Sequence, residues 1–154
     1  MITISEYLKE GRIVLGLKAK DKVDCIRRLG EVLKGQAEIA DFEGFLNDVF
    51  EREELGTTGI GLSLALPHAR SQSVKSFVIA IARIDGGIDF KSLDAEPVKL
   101  VFLMGTPKEE IQGYLKILAH LTRLLKRETF RTALLQAATA AEIIELFKKE
   151  EAAS

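Results

Sequence analysis

The chain is short of cysteine, histidine and long apolar runs, and each shortage excludes a class of protein. Its one cysteine, Cys25, can form no internal disulfide, which fits a reducing cytoplasm. Two histidines and one cysteine are too few for the ligand clusters of zinc sites, so we expect no bound metal. The longest apolar runs, residues 77–82 and 100–104, fall far short of the ~20 residues that span a bilayer, so we expect no membrane insertion.

A marked excess of charge of either sign is also missing. The chain has 22 basic and 23 acidic residues and a formal net charge of -1, so it lacks the basic surface of a nucleic-acid-binding protein. Its first residues, Met-Ile-Thr-Ile-Ser-Glu, have neither the basic start nor the apolar segment of a secretory signal. We therefore predict a cytoplasmic location and no nucleic-acid partner.

The chain does have enough apolar residues for one core. It has 154 residues, of which 47% are hydrophobic, and it shows no repeat, low-complexity tract or linker-like stretch. We therefore expect a single domain over residues 1–154. Cys25 lies on a helical pattern with Ile26 and Leu29, and we interpret it as a small buried hydrophobe rather than a reactive thiol.

Helix and strand signals alternate along the chain. Asp21 and Asp41 each precede a run with helical periodicity, and residues 139–142, Thr-Ala-Ala-Glu, form a capping box before the last helix. Helices are predicted near residues 5–9, from 21 to 33, from 41 to about 54, from 106 to 125, from 129 to 138 and from 139 onward. Strands are predicted at 12–17, 62–66, 76–84 and 98–104.

Two apolar runs indicate how these elements assemble. Residues 76–84 and 98–104 are almost continuously apolar, which is typical of strands that are covered on both faces. Such strands need helices above and below the sheet. We therefore predict an α/β fold, a single domain with a mixed β-sheet flanked by helices on both faces.

Two local signals bear on where functional side chains lie. Pro67 should end the strand at 62–66, which places His68 just past a strand end, in an exposed and rigid position. Residues 106–109, Thr-Pro-Lys-Glu, combine an N-cap, a proline at the first helical position and a capping-box glutamate. A long helix should therefore begin there.

The phase of this helix, at ~100° per residue, separates Tyr114 from His120. Tyr114 falls inside the apolar stripe, where its hydroxyl should find a polar partner. His120 falls on the opposite side and should face water. The alternative for Tyr114 is an ordinary tyrosine at the edge of the core.

The glycine-rich segment 56–61 fails the tests for a nucleotide-binding loop. Gly56 and Gly61 have the spacing of a P-loop, but Leu62 stands where that loop needs a lysine. Residues 59–61, Gly-Ile-Gly, are followed by Leu64 instead of the third glycine of a dinucleotide site. We expect no cofactor.

His68 is the strongest candidate for chemistry. An imidazole is largely neutral near pH 7 and then has a lone pair that can attack phosphorus. Arg52, at the end of a helix and four residues before the loop, offers a planar fork for phosphate oxygens. The glycines of segment 56–61 allow an anion-binding nest of backbone amides. The alternative is a simple turn, a solvated arginine and a surface histidine.

Segments 52–61 and 64–70 carry a family resemblance. They read Arg-Glu-Glu-Leu-Gly-Thr-Thr-Gly-Ile-Gly and Leu-Ala-Leu-Pro-His-Ala-Arg, and they resemble the active-site signature of the fructose/mannitol and nitrogen-regulatory enzyme IIA family of the bacterial sugar phosphotransferase system. The resemblance continues at 87–90, 97–103 and 114–118, so it covers nearly the whole chain. It implies that HPr or a paralogue donates a phosphoryl group, that His68 carries it and that Arg52 steadies it.

The chain departs from the family pattern at two places. Tyr114 stands where members usually have a second active-site histidine, and Leu62-Ser63 replaces a pair such as Asn-Gly. We predict His68, Arg52 and Tyr114 as catalytic residues. The predicted phosphoryl-binding residues are those of the loop, namely Thr57, Thr58, Gly59 and Gly61.

Three functions stay open. The first is a phosphocarrier that passes the phosphoryl group to a IIB domain, as in sugar transport. The second is a nitrogen-type regulatory module that binds target proteins and acts through its phosphorylation state. The third is a relative that binds partners without being phosphorylated, which the presence of both His68 and Arg52 disfavours.

Overall fold

The computed structural model of the chain describes residues 3–153, in which six strands form one sheet. The strands are β1 (Ile13–Leu15), β2 (Gly59–Gly61), β3 (Leu64–Ala65), β4 (His68–Ser71), β5 (Val78–Ile88) and β6 (Val98–Pro107). Their order is β1-β5-β6-β3-β2, and β4 also pairs with β6. β5 and β6 are antiparallel, whereas β1 runs parallel to β5, and β3 and β4 run parallel to β6. The sheet is therefore mixed, as predicted.

Helices cover both faces of this sheet. They are α1 (Lys22–Gly30), α2 (Phe42–Glu54), α3 (Ile111–Leu125), α4 (Glu128–Gln136) and α5 (Ala140–Ala153). The apolar side chains of β5 alternate between two cores: Val78 and Ala80 pack with α1 and α2, and Ile79 and Ile81 pack with α3, α4 and α5. The α/β fold class is therefore confirmed. The extent of the single domain, residues 1–154, stays a prediction, and residues 1, 2 and 154 lie outside the described residues.

The starts of three helices follow from their capping side chains. The Asp21 carboxylate accepts the Asp24 amide at 2.8 Å, and the Asp41 carboxylate accepts the Gly44 amide at 3.2 Å. The Thr139 hydroxyl accepts the Glu142 amide at 3.2 Å at the start of α5. Each bond satisfies a backbone N–H that the first helical turn leaves without a partner, so the local signal and the structure agree.

The predicted helix start at residues 106–109 is wrong. β6 continues through Pro107, because Thr106 and Pro107 pair with Arg70 and Ser71 of β4. α3 begins only at Ile111, without a side-chain cap. Pairing with a strand from another part of the chain overrides a local capping signal, and sequence periodicity does not report such pairing.

The predicted strand at 62–66 is also corrected. Leu62 and Ser63 have φ values of 57° and 63° and form the turn between β2 and β3. Pro67 interrupts the strand only briefly, because its carbonyl still accepts the Met104 amide of β6 at 3.0 Å. His68 therefore follows the end of β3, as predicted, but it also begins β4, and it is half-buried rather than exposed.

Gly105 of β6 generates a test of this packing. A Cβ at Gly105 would lie 2.7 Å from Cε1 of the buried Phe45 and 3.2 Å from Val74. We expect Gly105→Ala to lower the free energy of unfolding by about 1–3 kcal/mol, because the aromatic ring of α2 must shift. The control is Gly86→Ala, where the new Cβ meets nothing within 4 Å and the change should stay within about 0.5 kcal/mol. Urea unfolding of both variants measures the difference, and equal stabilities would contradict the assigned contact.

Candidate active site

The His68 imidazole is held by one backbone hydrogen bond. Its Nδ1 lies 2.7 Å from the carbonyl oxygen of Leu66, two residues earlier. A carbonyl oxygen can only accept, so Nδ1 carries the proton. The neutral ring then has its lone pair on Nε2, which is the nitrogen available to attack an electrophile.

His68 lines an open cavity of about 1040 Å³ that lies along β4, along α2 from its first turn to its end, and beside the start of α3. Three cationic side chains, Arg52, Arg70 and Lys108, and the ring of Tyr114 also line it. The structure therefore brings the three predicted catalytic residues to one cavity, although they come from three separate elements.

The pKa of His68 is lowered from its ordinary value, chiefly because burial disfavours the imidazolium. The positive charges of Arg52 and Arg70 lower it further, whereas the hydrogen bond to the Leu66 carbonyl and the negative charge of Glu53 oppose the shift. At pH 7 the ring is therefore mainly neutral, which is the form that a nucleophile needs.

Arg52 lies in the last turn of α2, where its guanidinium donates to the carbonyl of Gly56 at 2.8 Å. This bond holds the side chain between the helix end and the glycine-rich loop. It occupies one of the five N–H donors of the guanidinium, so the fork retains donors for an anion in the cavity.

Tyr114 lies in the first turn of α3, against His68. The two ring centroids are 5.3 Å apart, and the ring planes are inclined by 40°. Burial raises the pKa of the Tyr114 hydroxyl above its ordinary value, although the charges of Arg52 and Arg70 oppose this. The hydroxyl therefore keeps its proton at neutral pH and is a hydrogen-bond donor without charge.

The four predicted phosphoryl-binding residues, Thr57, Thr58, Gly59 and Gly61, are not among the described residues that line the cavity. Several of their donors have partners within the fold. The Thr57 hydroxyl donates to the Phe90 carbonyl and accepts the Gly59 amide at 3.0 Å. The hydroxyl of Thr58 donates to the carboxylate of Glu53. Direct phosphoryl binding by this loop stays a prediction.

Glu53, the residue that holds this loop, is not among the site residues predicted from the sequence. Its buried carboxylate accepts the Thr58 hydroxyl, the Thr58 amide at 3.2 Å and the Lys22 ammonium at 2.9 Å. Lys22 also lies 5.6 Å above the Phe90 ring. An acidic residue next to Arg52 at a helix end carries no sequence signal of burial, so only the structure identifies it.

The predicted exposure of His120 is wrong. Its side chain is 15% exposed, and its Nε2 lies 2.7 Å from the Glu151 carboxylate of α5. The buried face of α3 carries Ile117, Leu121, Leu124 and Leu125. The apolar stripe in the sequence is wider than this buried face, because it also contains Ile111 and Leu115, which are exposed. Their inclusion rotated the predicted buried face of α3 away from His120.

Residues 3–153 contain neither a cluster of metal ligands nor a helix that could span a membrane. No three or more His, Cys, Asp or Glu side chains in this range are grouped so as to hold a metal ion. None of the helices in this range has the length and apolar character needed to cross a membrane.

Comparison with known families gives a match over residues 6–150, to the family described as phosphoenolpyruvate-dependent sugar phosphotransferase system, EIIA 2. The chain is 32% identical over 148 residues to the PTS system fructose-specific EIIABC component of Bacillus subtilis (strain 168). That alignment covers 96% of this chain and 23% of the relative, so the chain spans about a quarter of the length of that protein.

Two solved structures have a similar fold. Nitrogen regulatory protein IIA-Ntr from Neisseria meningitidis superposes with a TM-score of 0.87 at 27% identity, over 94% of this chain and 98% of that one. Enzyme IIAMtl from Escherichia coli, solved in a complex with phosphorylated enzyme IIBMtl, has a TM-score of 0.79 at 25% identity. This second superposition covers 92% of this chain and 97% of that one.

The hydrogen bond and burial of His68 generate a test by NMR titration. We expect His68 to titrate below its ordinary value of ~6.5, because burial disfavours the charged ring. The imidazole ¹⁵N shifts above the transition should show the proton on Nδ1. A pKa above 6.5 would contradict the assigned effect of burial, and a proton on Nε2 in the neutral ring would contradict the assigned hydrogen bond to Leu66.

Proposed function

The chain belongs to the EIIA 2 family of the phosphoenolpyruvate-dependent sugar phosphotransferase system, and we propose that it carries a phosphoryl group on Nε2 of His68. The observation that carries this proposal is the 2.7 Å bond between Nδ1 and the Leu66 carbonyl, on a ring that lines the cavity. The bond leaves the Nε2 lone pair free without any separate general base.

The transfer is a displacement at phosphorus. The Nε2 lone pair attacks the phosphorus of a phosphohistidine on the donor, and the donor N–P bond breaks as the new bond forms, with its electron pair returning to the donor nitrogen. The Nδ1 proton stays on His68, where the Leu66 carbonyl continues to accept it. Arg52 would then stabilise the negative charge on the equatorial oxygens, and the Tyr114 hydroxyl would donate a neutral hydrogen bond.

The donor that this site fits is an HPr-type phosphocarrier protein. A protein donor needs a surface to dock on, and Leu55, an apolar residue that lines the cavity, is 85% exposed. Ile111 and Leu115, which flank the cavity residue Tyr114 in the sequence of α3, are 50% and 55% exposed. Apolar residues at the centre of a polar surface are typical of protein interfaces. The cavity between them would admit the phosphohistidine.

A IIB domain is the acceptor that we propose for a role in sugar transport. The related enzyme IIAMtl was solved in a complex with phosphorylated IIBMtl, and the fold of this chain matches it. The same exposed surface would serve the donor and the acceptor in turn. The donor must present its phosphohistidine to Nε2 of His68, and the acceptor must present an unphosphorylated nucleophile to the phosphoryl group on that same nitrogen.

Regulation through the phosphorylation state is the second candidate function. The similarity to nitrogen regulatory protein IIA-Ntr favours it, as does Tyr114, which replaces the second histidine usual in the family. In this case the phosphoryl group on His68 would change the charge of the docking surface and so decide which target binds. Transfer from the phosphorylated chain to purified IIB domains would separate the two functions.

His68→Ala tests the proposed phosphorylation site. After incubation with phosphoenolpyruvate, enzyme I and HPr, we expect no stable label on this variant, because the nucleophile is missing. The control is His120→Gln, which retains a donor toward Glu151 and should be labelled as the unchanged protein is. Label on His68→Ala, or its loss from a folded His120→Gln, would contradict the proposal.

Tyr114→Phe tests the hydroxyl that replaces the second histidine. The variant keeps the ring contact with His68 and deletes only a donor, so a loss of ~0.5–1.5 kcal/mol should slow transfer roughly two- to tenfold. Rapid-quench measurement of transfer from phosphorylated HPr gives the rate. Stability should hardly change, and an unchanged rate would return Tyr114 to an ordinary residue at the edge of the core.

A further inference from the structure

We propose that Arg70 is a second arginine of this site and contacts the phosphoryl group on His68 together with Arg52. The inference rests on the proposed phosphorylation of His68. His68 and Arg70 both belong to β4, where His68 pairs with Met104 and Arg70 pairs with Thr106 of β6. Positions two apart on a strand project to the same side. Both also line the same cavity, so the long side chain of Arg70 starts about 7 Å from the Cα of His68 and reaches the space beside it.

The charges around His68 show why one arginine is not enough. A phosphoryl group on histidine carries close to two negative charges near neutral pH, and Asp48, Glu51 and Glu54 also line the cavity. Tyr114 stands where the family usually has a second histidine, and a tyrosine cannot supply positive charge. Without Arg70, the cations among the described residues that line the cavity would be Arg52 and Lys108, and their two charges are outnumbered by those of the dianion and the three carboxylates.

Arg70 is placed to supply the missing charge. Its positive charge acts on both rings of the site, since it lowers the pKa of His68 and opposes the rise in the pKa of Tyr114. Arg52 acts on the same two rings in the same direction. The two arginines line the same cavity as His68 and Tyr114, Arg70 from β4 and Arg52 from α2.

The contact that holds the guanidinium of Arg70 is weak. Arg70 is exposed and donates one bond of 3.3 Å to the carbonyl of Lys108, a neutral acceptor. Arg12 shows the opposite arrangement, since it is buried and bound by both carboxylate oxygens of Glu38 and by Gln36. A long contact to one carbonyl is easily exchanged for a charge-assisted bidentate contact with phosphoryl oxygens.

The experiment compares Arg70→Gln and Arg70→Lys with a control, Arg123→Gln, which removes an exposed arginine from the far end of α3. Three quantities are measured: the rate of transfer from phosphorylated HPr, the lifetime of the phosphohistidine in the isolated protein, and the pKa of His68 by NMR. We expect Arg70→Gln to slow transfer roughly tenfold, shorten the lifetime and raise the pKa of His68. Arg70→Lys should keep the lowered pKa but restore only part of the rate, because an ammonium has no fork. The control should match the unchanged protein.

The outcomes separate this inference from the proposed function. If Arg70→Gln matches Arg123→Gln in transfer rate and in phosphohistidine lifetime, Arg70 does not contact the phosphoryl group. That result would leave the proposed phosphorylation of His68 intact, because labelling of His68→Ala tests it separately. Thermal unfolding identifies a variant that fails to fold. In that case Arg70→Lys decides. A folded lysine variant with the transfer rate and phosphohistidine lifetime of the unchanged protein overturns the bidentate contact. A folded lysine variant that keeps the lowered pKa of His68 but transfers more slowly supports it.

Discussion

The carboxylate of Glu53 is the constraint on which the arrangement of the site depends. It accepts two hydrogen bonds from Thr58 and one from the Lys22 ammonium, and so joins the end of α2 to the loop before β2 and to the start of α1. A buried carboxylate is stable only when such partners compensate for its lost hydration, and removal of one partner from a buried pair costs roughly 3–5 kcal/mol. Because Glu53 is fixed inward, the preceding residue, Arg52, is directed to the cavity.

This constraint also explains why the glycine-rich loop differs from an open anion nest. The loop uses the donors of Thr57 and Thr58 to bind the Phe90 carbonyl and the Glu53 carboxylate. Those bonds order the backbone beside Leu66, whose amide donates to the Thr58 carbonyl at 3.0 Å. The Leu66 carbonyl in turn holds the His68 ring. The loop therefore contributes rigidity to the ring of His68, the proposed nucleophile, which is the kind of support that a preorganised site needs.

A structural feature could be predicted from the sequence when the interactions that produce it lie within a few residues of one another. The helix starts after Asp21 and Asp41 rest on bonds within one turn, so they were predicted correctly. The continuation of the sheet beyond Pro67 and through Thr106 depends on pairing between β4 and β6, which no local pattern encodes. The fold class and the three residues around the cavity were predictable, whereas the hydrogen bonds of the loop and the burial of His120 required the neighbouring elements to be in place.

The two histidines show how a hydrogen-bond partner decides whether an imidazole is available as a nucleophile. The Leu66 carbonyl binds Nδ1 of His68, so the proton lies on that nitrogen and the lone pair of Nε2 remains for chemistry at the cavity. The Glu151 carboxylate binds Nε2 of His120, so that nitrogen acts as a donor and has no lone pair to offer. Glu151 also accepts the amides of Ile4 at 2.5 Å and Ser5 at 3.0 Å, so its bond to His120 belongs to a contact between α3, α5 and the start of the chain. The ring of His68 thus keeps a nitrogen lone pair at the cavity, whereas the ring of His120 is bound within the packing of α3 and α5, and the difference arises from which nitrogen each partner binds.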